Sequence, residues 1–276
     1  MKKLVVMTAS HNSEKPHIDA VRSILKKADL DEQLLQCGTH PPLPRSIQYE
    51  MIEQGRQFTP LYHNCSGKHA GILALARHLG APLEGYKDPG HPAQQALMAP
   101  VAAMCELDRS NLEYGHDGCD IPAYLLTARQ MATGAARFAA PETIASPTMQ
   151  KAIRRLSDAI IAHPYLIAGK KRICSAIARH AKGKAIGKVG AEGAYMLALR
   201  HRKLGFAAKC TDGAFRGIFT FSANVCDKLG AFDESSREQM KSFLRPDVTN
   251  DYGRVVGHIE VPEGLLDTLN DIPEVG

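Results

Sequence analysis

The feature that most limits how this chain can fold is a change in sequence character near residue 184. Before it, apolar residues recur at helical spacing between turns rich in Gly and Pro, most clearly over residues 148–162. After it come short apolar segments separated by Gly-rich or basic turns, a pattern typical of antiparallel strands. These segments are residues 185–189, 194–199 and 205–209. The sequence therefore predicts an α+β protein, helical over about 14–182 and built of strands and helices over about 183–276.

The same patterns predict the individual elements. Helices are expected at residues 14–28, 45–54, 68–79, from Pro92 to about Leu107, from Ile121-Pro122 to about Phe138, and at 148–162, 214–229 and 234–245. A last strand is expected at Arg254–Val261, while Leu4–Met7 fits either a short strand or a buried helical segment. A sheet of two or three strands is small for so many helices. We therefore expect that N-terminal strands are missing.

The composition is that of a globular protein, with 276 residues, 44% hydrophobic and 23% charged. We expect a single domain over residues 1–276. The net charge of +5 is spread along the chain, so no nucleic-acid partner is predicted. The apolar run after Lys3 is too short for a signal peptide, and no segment approaches the roughly 18 apolar residues of a membrane helix. The seven cysteines are irregularly spaced, which argues against a disulfide framework and favours a cytoplasmic location.

Three polar turns contain the side chains that can carry chemistry. They are residues 9–14 (Ala-Ser-His-Asn-Ser-Glu), 63–71 (His-Asn-Cys-Ser-Gly-Lys-His-Ala-Gly) and 116–120 (His-Asp-Gly-Cys-Asp). A fourth segment, Lys-Val-Gly-Ala-Glu-Gly at 188–193, leads into the strand that ends at Lys209. Taken singly, each has an ordinary structural explanation, such as a helix cap, a buried thiol or a solvated lysine.

Together these strings resemble the Rhizobium-type (thermolabile) L-asparaginase family. Asp-Gly-Cys at 117–119, Ala-His-Pro-x-x-x-Ala-Gly at 162–169 and Lys-x-x-Asp-Gly at 209–213 complete the pattern, in the family's order. The resemblance implies an antiparallel sheet flanked by helices plus a helical subdomain, like the serine β-lactamases and penicillin-binding proteins. It also implies hydrolysis of L-asparagine to aspartate and ammonia, and a homodimer.

The resemblance further implies particular residues. The family's second serine–lysine pair falls on Ser10 and Lys209, where a neutral lysine amine takes the proton of the serine hydroxyl. A zinc site falls on Cys65, Lys68 and Cys119, with water as fourth ligand. Whether the zinc is essential or only modulates activity stays open, as does a Cys65–Cys119 pair without metal.

Substrate-binding positions fall on His69, Asp117 and His11. A carboxylate such as Asp117 suits the ammonium group of asparagine, and the carboxylate of asparagine needs a cation. His69 and Asp117 are equally compatible with a role around the metal.

The sequence departs from the family in three places. The family's first motif, Arg-Ser-x-x-Lys, has no counterpart ahead of Ser10, and we regard Ser23-Ile-Leu-Lys26 as a chance match. Asp120 replaces a usual glycine, and Cys174 a usual acidic residue. Because the first serine is absent, an inactive zinc-binding remnant of the family is the main alternative. A serine–lysine amidase for another small amide or peptide is a third hypothesis.

Overall fold

In a computed structural model that describes residues 1–272, the chain forms two compact units. The first comprises Met1–Leu125 and Asp158–Arg172. The second comprises Leu126–Ser157 and the described part of Ile173–Gly276. Helices combined with small antiparallel sheets confirm the predicted α+β class. The single-domain assignment and the likeness to serine β-lactamases stay predictions.

The first unit is built mainly from helices. They are α1 (Lys2–Met7), α2 (Lys15–Lys27), α3 (Arg45–Glu53), α4 (Ser66–His78) and α5 (Pro92–Cys105). The run Leu4–Met7 thus belongs to a helix, one of the two possibilities that its sequence allowed. Helices α1, α2 and α4 pack on one another, and Val6, Val21 and Leu73 are completely buried among them. Burial of these apolar faces is the main stabilising contribution in this unit.

A short hairpin closes the first unit where a helix start was predicted. Strands β1 (Tyr114–His116) and β2 (Pro122–Tyr124) pair antiparallel, so the helix expected from Ile121-Pro122 was wrong at its beginning. Pro122 fits a first helical position, but the turn before it is already closed by Asp117. The N–H of Asp117 donates to the Ile121 carbonyl at 3.2 Å.

The second unit contains a three-stranded antiparallel sheet in the order β3-β4-β5. Its strands are β3 (Ala185–Val189), β4 (Ala194–Leu199) and β5 (Leu204–Lys209), close to the predicted bounds. Gly205 meets helix α6 (Ala128–Ala139), since a Cβ there would lie 1.9 Å from the Ala132 carbonyl oxygen. Its neighbour Phe206 contacts Phe221 of helix α9 (Phe215–Lys228). Successive residues of a strand face opposite sides, so α6 and α9 flank the sheet on its two faces.

The remaining elements complete the second unit. Helix α7 (Pro147–Ala162) belongs to the second unit as far as Ser157. Helices α8 (Ile173–His180) and α10 (Glu234–Leu244) pack together. The predicted last strand is shorter than expected, β7 (Val255–His258), and pairs with β6 (Asp247–Thr249), which the sequence did not predict. Across residues 1–272, no helix has the length and apolar character needed to span a membrane.

Candidate functional site

The predicted catalytic serine lies in an irregular segment directly after α1, which we call the serine turn (residues 9–14). Ser10 is partly exposed, and its backbone N–H donates to the Ile167 carbonyl at 3.3 Å. Two residues later, Asn12 donates its N–H to the Ala168 carbonyl at 2.9 Å. Gly169 has a positive φ of 115°, and a Cβ there would lie 2.3 Å from Glu14 Oε2. Any side chain at position 169 would therefore force the side chains of Glu14 and Asn12 to move.

A second set of buried hydrogen bonds joins the serine turn to the start of α4. The His11 N–H donates to the Asn64 carbonyl at 3.0 Å, and Ser13 Oγ donates to the Tyr62 carbonyl at 2.5 Å. His11 is fully buried, and its Nε2 lies 3.0 Å from Ser66 Oγ. These contacts fix the serine turn against residues 62–66.

The hydrogen bonds of His11 determine where its proton resides. The backbone N–H of Ser13 donates to His11 Nδ1 at 3.1 Å, so Nδ1 is the acceptor and the proton lies on Nε2. Burial, and next the neighbouring His17, lower the pKa of His11 well below its usual value. His11 is thus neutral and donates to Ser66, so it does not serve as a base for that hydroxyl. Its predicted role in substrate binding stays a prediction.

Five of the predicted residues come together in the first unit, and we call them the thiol cluster: Cys65, Lys68, His69, Asp117 and Cys119. Cys65 caps the N-terminus of α4, and Lys68 and His69 follow in its first turns. Cys119 lies in the β1–β2 turn, where its thiol interacts with Cys65 and His69. Lys68 Nζ lies 2.9 Å from Asp117 Oδ2.

The charges in the thiol cluster stabilise one another. Burial favours the neutral carboxyl of Asp117, but hydrogen bonds from Cys119 and the charge of Lys68 outweigh it and bring the Asp117 pKa to about 2. Burial likewise opposes the ammonium form of Lys68, yet the neighbouring sulfurs and Asp117 raise the Lys68 pKa above its usual range. Contact with Cys65, followed by burial, raises the pKa of the Cys119 thiol. Without metal, the cluster therefore holds the Lys68–Asp117 ion pair beside a protonated Cys119 thiol.

The donor atoms of the thiol cluster suit zinc. Within residues 1–272, no three His, Cys, Asp or Glu side chains form a metal-binding group, so a site here requires the Lys68 amine besides the two thiols. Two sulfurs and a nitrogen are ligands that zinc accepts. Among the described residues, Nε2 of His69 in this cluster is buried without a hydrogen-bond partner of ordinary geometry. Binding would have to displace the protons of the thiols and of Lys68.

Lys209, the proposed base, belongs to the second unit. It is the last residue of β5, pairs with Ala194 of β4, and is exposed. Its Nζ donates to the Cys210 carbonyl. The turn that follows is closed by Asp212, whose Oδ1 accepts from the Ala214 N–H at 2.8 Å. Ser10 and Lys209 lie in different units, and their pairing stays a prediction.

Three groups at the site were not predicted. They are Ser66, Tyr86 and the backbone of Gln36. Ser66 is hydrogen-bonded to His11, and Tyr86 contacts both His69 and the Gln36 N–H. Ser66 lies inside a recognised string, but nothing in the string indicates that its hydroxyl faces the serine turn. Tyr86 and Gln36 lie in loops without a motif, so no local sequence signal identifies them.

The residues of the serine turn and of the thiol cluster indicate a class of enzyme. A serine turn, a cluster of thiols, an amine and a carboxylate on an α+β framework are suited to nucleophilic or metal-assisted hydrolysis. The chain belongs to the L-asparaginase II family, whose model matches residues 1–261. It is therefore an amidohydrolase, and the resemblance read from the sequence is confirmed. No curated protein matches the chain.

Proposed function

We propose that this chain hydrolyses L-asparagine to L-aspartate and ammonia, with Ser10 as nucleophile and Lys209 as its base. Membership of the L-asparaginase II family supports the substrate. One observation supports the site. Cys65 and Lys68 lie at the start of α4, Cys119 contacts Cys65, and the same helix is hydrogen-bonded to the serine turn. The same observation supports a zinc site on these three residues.

In the proposed reaction, Ser10 Oγ attacks the side-chain amide carbon of asparagine while its proton passes to Lys209 Nζ. The carbon–nitrogen bond then breaks, and the nitrogen takes that proton and leaves as ammonia. Water hydrolyses the resulting ester, releases aspartate and restores the Ser10 hydroxyl. For the first step the amine must be neutral, and a general base of this kind contributes about 10²–10⁴-fold to the rate.

Substrate recognition is assigned to charged and polar groups of the thiol cluster. The Asp117 carboxylate, with its pKa of about 2, is negative at neutral pH and suits the ammonium group of asparagine. His11 and His69 are fully buried, so they would act in substrate binding by positioning neighbouring residues. When bound, zinc would supply a fixed positive charge near these groups.

The test is ammonia release from L-asparagine by the purified chain. We expect Ser10→Ala and Lys209→Ala each to lower kcat at least about a hundredfold. Ser23→Ala on α2 is the matched control and should leave kcat unchanged. A folded wild-type chain that releases no ammonia would refute the proposal, and faster turnover of another amide in a substrate panel would favour the broader amidase hypothesis.

A second candidate function is zinc binding without hydrolysis. It is favoured by the fact that Cys65, Lys68, Asp117 and Cys119 all lie in the first unit, whereas Lys209 does not. Zinc uptake by a chain that releases no ammonia would establish it. The expected homodimer is tested separately, by sedimentation of the same preparation. The likeness to serine β-lactamases and the cytoplasmic location are likewise proposals.

A further inference from the structure

His69 has an asymmetric set of neighbours that the proposed reaction does not use. The residue is fully buried, and its Nδ1 lies 2.7 Å from the Tyr86 hydroxyl. Tyr86 is fully buried as well, and its ring meets the His69 ring edge-on, with centroids 5.6 Å apart. The Tyr86 oxygen also accepts the backbone N–H of Gln36 at 2.8 Å.

This chain of contacts fixes the position of the imidazole proton. A tyrosine hydroxyl has one proton to donate, and the Gln36 N–H is itself a donor. The hydroxyl proton is therefore directed to His69 Nδ1, which makes Nδ1 an acceptor. A neutral imidazole that accepts at Nδ1 carries its proton on Nε2.

The Nε2 side of His69 lacks an ordinary partner. It is buried and makes no hydrogen bond of ordinary geometry within the described part of the chain, and a buried N–H left unpaired is destabilising. The group that the structure does bring to His69 is the Cys119 thiol. Because Nδ1 is occupied by Tyr86, Nε2 is the ring nitrogen left for this contact.

We infer that His69 is a positioning residue whose Nε2–H, fixed by Tyr86, donates a hydrogen bond to the Cys119 sulfur. The inference rests on the proposed zinc site for its functional meaning, since Cys119 is one of the three ligands. An N–H directed at a metal-bound thiolate offsets part of its negative charge and holds its orientation. The opposite tautomer would leave the Tyr86 proton without a partner and turn a lone pair towards that thiolate.

The first measurement needs no metal. In ¹⁵N-labelled chain without zinc, long-range ¹H–¹⁵N spectra of the histidines distinguish the two tautomers, and a His69→Gln sample assigns the signals. We expect His69 as the Nε2–H tautomer. The Nδ1–H tautomer would overturn the inference, whether or not zinc binds.

The second measurement is zinc affinity, by competition with a chelator for zinc alone. Loss of an outer-shell partner typically weakens binding 10–100-fold, and we expect this for Tyr86→Phe and His69→Ala. His69→Gln places an amide N–H near the former Nε2 and should recover most of the affinity. Tyr49→Phe, at an exposed position of α3, is the matched control and should bind as wild type.

These results separate the inference from the proposed function. A wild-type chain that takes up no zinc refutes the zinc site, and the tautomer spectra still decide the hydrogen bond to Cys119. Equal zinc affinity in wild type, Tyr86→Phe and His69→Ala refutes the positioning role, even if zinc binds and ammonia is released.

Discussion

Replacing Gly67 by alanine adds one methyl group where helix α4 packs against Val6 of helix α1. The new Cβ would lie 2.2 Å from the Val6 carbonyl oxygen and 2.5 Å from its Cγ1 atom, whereas real Cβ atoms essentially never come closer than 3.0 Å. The obstacle is backbone, which cannot rotate away as a side chain would. Helix α4 must therefore move away from α1, and Cys65 and Lys68 move with it.

The expected magnitude is the balance of two effects. Overpacking a buried contact costs about 1–3 kcal/mol or more, and a clash with backbone belongs at the upper end of that range. Alanine in place of glycine in a helix stabilises the folded chain by at most about 1 kcal/mol. We expect a net loss of about 2 kcal/mol in the free energy of unfolding, or a Tm lower by about 4–8 °C.

Gly217→Ala is the matched control, because it is the same substitution in the first turn of another helix. Nothing lies within 4 Å of a Cβ at Gly217, so its Tm should rise rather than fall. Thermal unfolding followed by circular dichroism compares the two variants, and zinc affinity reports any displacement of Cys65. A Gly67→Ala chain as stable as wild type would refute the close contact of α1 and α4.

Three further predictions concern the same molecule. The pKa of His11 is lower in the folded chain than its unfolded value of about 6.5, so the unfolded chain takes up the proton first. His11 alone should therefore lower the free energy of unfolding by about 1.4 kcal/mol between pH 8 and pH 5.5. Urea unfolding checks this, and an unchanged slope in His11→Gln would contradict it. Thr127 caps α6 in a capping box, so Thr127→Ala should lower the Tm by about 2–4 °C, measured against Thr133→Ala. Cys65→Ser should abolish zinc uptake detected by chelator competition, and tight zinc binding by that variant would exclude Cys65 as a ligand.

The sequence predicted most of the larger elements because their patterns are local. Strands β3–β5 are short apolar segments separated by Gly-rich or basic turns. In α7, apolar residues recur at every third or fourth position. Strand β6 was missed because its residues are mostly exposed, so no apolar alternation marks them. Pro122 was misassigned because a proline suits both the start of a helix and the first residue of a strand.

In the candidate site, the residues within motif strings were likewise predictable from the sequence, and their partners outside those strings were not. Motif strings indicated that Cys65, Lys68, Asp117 and Cys119 belong together, and the structure brings them into one cluster. The partners that hold this cluster were not predictable, because nothing in the sequence of the loop around Tyr86 indicates that its hydroxyl contacts His69. Long-range contacts of single side chains leave no trace in local sequence patterns.

The serine turn is hydrogen-bonded to residues that follow it in the sequence by more than 150 positions, since Asn12 binds Ala168 and accepts from Arg172 Nη1. During synthesis, the first 125 residues leave the ribosome before residues 168–172 do. The turn that carries Ser10 can acquire its final shape only after residue 172 has emerged, although α1, α2 and α4 can already pack. A nascent chain arrested at residue 157 should thus hold a largely folded helical core with an unfinished serine turn.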